Sequence, residues 1–291
     1  MKKLILILSL LAYSENCFAF VDKDFKNLYT LVDGLLISPA TSAQTIGKNI
    51  IRTSISGYYY RFEKEQNSIL YSPVDNNNSI SQDAIINLIA EYGIFKNSEI
   101  GILIPYAPDW ISNYGGNKHG IADIVIYFKQ YLFRYYDIDI GLDAGYKLNT
   151  SMYSNNPKWY GTNYPNIFLK FILSTRYRKA NTFINIGYKN VPGSGKITSD
   201  KYKLYFTYSN TYIGAIGLNY QLLKTFEISL ESNFESHNKE GISGYYLDIC
   251  GGINLILPKN IQFYGKIGKN ISDYAPSLYI STGISIFMNL R

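Results

Sequence analysis

The sequence predicts an all-β fold, a transmembrane antiparallel up-and-down β-barrel of about twelve strands. Three observations predict it. Residues 135–148 sort cleanly with a period of two. Tyr136, Ile138, Ile140, Leu142, Ala144, Tyr146 and Leu148 fall on one face, and Asp137, Asp139, Gly141, Asp143, Gly145 and Lys147 on the other. Such a stretch is long enough to cross a bilayer as a tilted strand, whereas strands of soluble sandwiches are usually shorter. Beyond the N-terminus, no run reaches the roughly 18 consecutive apolar residues of a helical span. In lipid only helices and closed barrels satisfy every backbone group. Finally, short and long connectors alternate along the chain, as short periplasmic turns and longer external loops do in outer-membrane barrels.

Composition agrees. Tyrosine (29), phenylalanine (15) and glycine (23) are abundant in the 291 residues, and the mean hydropathy is -0.09. That balance suits strands with one face toward lipid and one toward water.

At the N-terminus, Lys2 and Lys3 precede the apolar stretch Leu4–Ala12, and Cys17-Phe18-Ala19 offers a cleavage site. Residues 1–19 therefore read as a secretory signal peptide. A lipoprotein with Cys17 acylated would prefer an apolar residue where Ser14 stands and a small one where Asn16 stands. Cleavage after Ala19 leaves Cys250 as the remaining cysteine, so no internal disulfide is expected in an oxidising compartment. It also leaves 26 basic and 21 acidic residues, interspersed rather than blocked, which gives no nucleic-acid footprint.

Residues 20–47 lack alternation. Phe25, Leu28, Val32 and Leu35 recur at helical spacing, with Gly34 as a stop. This N-terminal periplasmic segment reads equally as a short amphipathic helix or plug and as a loose tail.

The barrel occupies residues 48–291. Its strands are expected at about 48–62, 82–95, 98–106, 119–133, 135–148, 164–178, 181–191, 204–223, 225–235, 243–257, 260–270 and 276–289. The tight connectors are Lys96-Asn97-Ser98, Arg134, Lys179-Ala180, Lys224 and Pro258-Lys259. The longer ones, near 63–81, 107–118, 149–163, 192–203, 236–242 and 271–275, are rich in Asn, Ser, Gly and Pro. The strand at 204–223 is long, and either bulges near Ser209-Asn210 or divides in two. Outward rows such as Ile167, Leu169, Phe171 and Leu173 imply contact with outer-membrane lipid and lipopolysaccharide. Phe287 near the C-terminus resembles the terminal aromatic of chains handed to the outer-membrane assembly machinery, although Met288–Arg291 follow it.

The residues opposite these rows form the candidate lumen set: Asp123, Lys129, Asp137, Asp139, Asp143, Lys147, Lys170, Arg176, Lys189, Glu227, Glu231, Asp248 and Lys266. A lysine or arginine on the lipid side at mid-depth would cost about 2–4 kcal/mol, which forces them inward. Two roles stay open. The charges line a polar conduit that selects a small-molecule solute, or they fill the lumen with salt bridges that stiffen the wall. Eight strands give a filled interior and sixteen a channel, so twelve does not decide. The aromatics of one external loop, Tyr153, Trp159, Tyr160 and Tyr164, could stack on a sugar or ring compound or belong to an interfacial girdle.

Enzyme signatures are weak. His119 and His237 are the two histidines, and neither has Ser two residues on, as the His-x-Ser motif of outer-membrane phospholipases requires. Val191-Pro192-Gly193-Ser194-Gly195-Lys196 lacks phosphate-loop spacing and reads as an external turn. Asp137 and Asp139 are two carboxylates on one face, too few for a metal site. No enzyme activity, cofactor or metal is expected.

Several short segments resemble a known family. They are Glu99-Ile100-Gly101 with Pro105-Tyr106, Gly120-Ile121-Ala122-Asp123 leading to Tyr131-Leu132, Gly145-Tyr146-Lys147-Leu148, and Gly217–Leu222. Over residues 45–289 the chain resembles the MetA-pathway of phenol degradation family of outer-membrane proteins, related to fatty-acid and aromatic transport barrels. Where that family often continues into Pro-Thr-Gly, this chain has Asn149-Thr150. The resemblance implies a barrel for uptake of small hydrophobic or aromatic compounds. The readings together favour a passive outer-membrane channel, with a structural or surface-interaction barrel as the alternative.

Overall fold

The computed structural model describes residues 42–61, 82–107, 120–121, 123–148, 166–190, 194–199, 202–207, 211–239, 242–257, 260–271 and 278–290. Their strands are β1 (Ile50–Arg61), β2 (Gln82–Phe95), β3 (Ser98–Ala107), β4 (Gly120–Ile121), β5 (Val125–Tyr135), β6 (Ile138–Lys147), β7 (Asn166–Tyr177), β8 (Ala180–Asn190), β9 (Ser194–Ser199), β10 (Tyr202–Thr207), β11 (Thr211–Leu223), β12 (Phe226–Lys239), β13 (Ile242–Leu257), β14 (Ile261–Asn270) and β15 (Leu278–Asn289).

Thirteen of these form one antiparallel sheet, in which β4 and β5 together make one pass. Consecutive passes pair with each other, and β15 returns to β1, so the sheet closes as a twelve-pass up-and-down barrel. Closure removes the sheet edges that lipid could not satisfy.

The long stretch at 204–223 is divided. β11 starts at Thr211, which pairs with Lys189 one residue before the end of β8. β10 pairs instead with β9 as a separate hairpin between β8 and β11, and the count stays at twelve. The expected strand at 119–133 is also interrupted, between Ile121 and Val125. The turn expected at Arg134 sits at Tyr136-Asp137, where Tyr136 takes a left-handed φ of 51°. The connector expected at 236–242 shrinks to residues 240–241, because the ladder continues to Lys239↔Ile242. Polar composition there marks water, not the end of pairing.

Alternation sorts the wall as the sequence implies. Leu88, Ile126, Phe171, Ile186, Leu230, Ile253, Phe263 and Ile286 are exposed on the outside. In a bilayer that belt is covered by lipid. The strand residues between them point inward and are mostly buried, polar and charged.

Candidate functional site

Of the predicted lumen set, Asp123, Lys129, Asp139, Asp143, Lys147, Lys170, Lys189, Glu227, Glu231 and Asp248 are buried. Lys266 is nearly so, its side chain 9% exposed, and Arg176 is half-buried near the β7–β8 turn. Asp137 departs from the expectation. It lies in the β5–β6 turn rather than on a strand face, and it is exposed. The strand starts at Ile138, so the Asp-x-Asp pair never shares a face. Tyr153, Trp159, Tyr160, Tyr164 and His119 lie outside the described residues. No group of His, Cys, Asp or Glu suited to a metal occurs among the described residues.

The inward charges pair along the wall. Arg52 on β1 bonds Glu91 on β2, its direct cross-strand partner, and Tyr127 donates to Glu91 at 2.5 Å. Lys129 stands 3.9 Å from Glu99, also its cross-strand partner. Lys170 meets Asp143 at 2.9 Å in the same direct register. Lys147 reaches Asp123 at 3.1 Å. Lys189 reaches Glu235 at 2.8 Å across β11, and Lys266 reaches Glu231 at 2.5 Å across β13. Asp248 accepts from Tyr279 at 2.9 Å and from the Asn233 side chain at 2.9 Å.

Inward glycines make this lateral layout fit. A Cβ at Gly101 would overlap the Tyr127 ring, and one at Gly145 the Phe168 ring. Both rings therefore lie flat on the neighbouring strand. The Lys266 stem likewise passes over Gly252 on its way to Glu231. The Tyr127 and Phe168 rings and the Lys266 stem are thereby laid against the wall.

Sequence reasoning missed Arg52, Glu91, Glu99 and Glu235, although all are in phase with the inward row. It also missed Arg134, for a different reason. The β5–β6 register shifts between Tyr131 and Phe133, so that Arg134 opposes Asp139. Arg134 then grips Asp139 with Nε at 2.7 Å and Nη2 at 3.0 Å. A bulge re-aims a side chain in this way without any signal in the alternation.

The described residues 42–49, ahead of β1, begin inside the barrel. Ala43 is fully buried and Ile46 nearly so. The Ala43 N–H donates to Ser174 Oγ at 3.1 Å, Gln44 Nε2 to Asp139 Oδ2 at 3.2 Å, and the Ile46 N–H to Glu99 Oε2 at 2.8 Å.

The fold is that of outer-membrane channels and porins. The outer membrane channel of the COG4313 group from Pseudomonas putida F1 superposes with a TM-score of 0.65 at 9% identity, over 84% of this chain and 98% of that one. The NanC porin superposes with a TM-score of 0.52 at 8% identity, over 81% and 98%. No protein-family model and no curated protein matches the chain.

Proposed function

We propose that this chain is an outer-membrane channel for passive passage of small solutes, its lumen lined by paired charges. The observation that carries the reading is lateral pairing. Arg52–Glu91 and Lys170–Asp143 join directly paired strands, Lys189–Glu235 and Lys266–Glu231 join strands one further apart, and the Tyr127 and Phe168 rings lie over wall glycines, so these groups are held along the wall. Such a lining presents alternating fixed charges to a passing solute and tunes its selection by charge. The fold shared with a COG4313 channel and the NanC porin supports the same reading. The resemblance to the MetA-pathway of phenol degradation family extends it to small hydrophobic or aromatic solutes.

A second reading, a structural barrel with a filled lumen, draws on the complete burial of Lys129, Asp143 and Glu99. Planar-bilayer recording of the refolded mature chain separates the two. Steady, ion-selective single-channel steps are the expected result. Silence across a range of salts and voltages, both in the mature chain and in a form lacking residues 20–47, refutes the channel.

A further inference from the structure

The short turns Lys96-Asn97, Tyr136-Asp137 and Arg178-Lys179 lie at one end of the barrel, with the start of β1 and the end of β15. Ser42–Gly47 is docked inside that end. Its partners are Lys96 O in the first turn, Glu99 on β3, Asp139 on β6 and Ser174 on β7, each within a few residues of a short turn. From β2 to β7 the wall takes four inter-strand steps, about 19 Å at about 4.8 Å each. Six extended residues reach about 20 Å. The segment is thus long enough to follow the inner rim from β7 to β2, a third of the circumference.

The wall is shaped to seat it. A Cβ at Gly93 on β2 would overlap the Gly47 carbonyl, and one at Gly141 on β6 would stand 3.2 Å from Ala43. The strap brings no charge of its own. It meets the carboxylates of Glu99 and Asp139 with neutral donors, a backbone N–H and a glutamine amide. Docked, it narrows the mouth and covers two acids that are at most 2% exposed.

We infer that Ser42–Gly47 is the constriction of the channel, and that its undocking widens the short-turn mouth and uncovers Glu99 and Asp139 to passing cations. The inference rests on the channel reading above. Undocking thus has a double signature: higher conductance and stronger cation preference.

The test uses the mature chain with Cys250→Ser. Ala43→Pro and Ile46→Pro together delete the two main-chain donors that hold the strap, without adding charge and without touching a barrel strand. Ala43→Cys with Gly141→Cys supplies the lock, since the wall Cβ position and the Ala43 Cβ lie 3.2 Å apart, near the roughly 3.5–4.5 Å of disulfides. One protein carries Ile46→Pro with the cysteine pair, so that oxidation restores what proline loosened.

The proline pair is expected to raise single-channel conductance about twofold or more and to move the reversal potential toward cations. The cysteine protein is expected to switch between the high level when reduced and the wild-type level when oxidised. Equal conductance in both redox states, with the disulfide verified by mass, overturns the inference while leaving the channel reading in place. Current in the proline pair alone, with a silent parent, supports both. Silence in every protein overturns the channel reading and this inference with it.

Discussion

Asp143→Asn probes whether the charged lining is a dry layer of the wall or is bathed by the lumen. Asp143 is fully buried, sits 2.9 Å from Lys170, and is the cross-strand partner of both Lys170 and Lys129. At that separation and an effective dielectric of about 20, the Lys170–Asp143 attraction is about 6 kcal/mol. Most of it offsets desolvation of the two ions. Removing one partner leaves a buried ammonium uncompensated, at a cost of about 3–5 kcal/mol. Removing both with Asp143→Asn and Lys170→Met is expected to restore most of the loss, because a buried pair replaced by apolar volume is close to neutral. Urea unfolding in phospholipid vesicles, followed by far-UV circular dichroism, reads both variants. A loss below about 1 kcal/mol for Asp143→Asn that fades with salt is the behaviour of a solvated pair, and would refute the buried-layer argument. The same substitution is expected to shift the reversal potential toward anions, since it removes a fixed negative charge from the inward face.

Three further outcomes are expected. Ile253→Arg on β13 puts a cation on the lipid face, where Ile253 is 51% exposed, and should destabilise the barrel in vesicles by about 2–4 kcal/mol. Gly101→Val drives the Tyr127 ring off its seat and stretches the Tyr127–Glu91 bond; overpacking and the strained charged hydrogen bond together should cost about 2–4 kcal/mol in urea unfolding, and Gly101→Val with Tyr127→Ala should cost less than the two single changes added. Arg134→Gln removes a cation that is about half exposed, so stability should fall by less than about 1 kcal/mol, while bilayer recording should find stronger cation preference as Asp139 loses its counter-charge.

The barrel was legible because lipid imposes its own rule on every strand. One face must be apolar, so Ile138, Ile140 and Leu142 declare the register of Asp139, Asp143 and Lys147 without any tertiary information. Where that rule weakens, so does the reading. Beyond Phe234 the run Glu235-Ser236-His237-Asn238-Lys239 makes both faces of β12 polar, and the sequence cannot distinguish a paired ribbon from a loop. Inside the belt, period-two logic assigns a face but not a partner. That Lys189 crosses β11 to Glu235, although their direct partners on β11 are Thr211 and Ile213, is set by the register of three strands together, which no single strand's alternation records. Arg134 was hidden for a sharper reason. The register shift after Tyr131 moves it by one place, and one place is the difference between lipid and lumen.

The strap was hidden for the most general reason. Helical spacing at Phe25, Leu28, Val32 and Leu35 drew the reading upstream, whereas the contacts that dock the chain come from Ser42–Ile46. Two of them are backbone N–H groups, which every residue except proline owns. Their specificity resides in the wall: a carboxylate at Glu99, a hydroxyl at Ser174, and missing side chains at Gly93 and Gly141. A segment recognised through its main chain leaves no motif in its own sequence. The trace is instead a glycine and an acid facing inward near the short turns, where a pore lined only for strength would be better served by a packed side chain. Gly93 and Glu99 flank one such turn, and Asp139 and Gly141 adjoin the next. The same two glycines that complete the seat would, once the strap departs, project no side chain into the mouth, so the wall that holds the constriction is also the wall that opens.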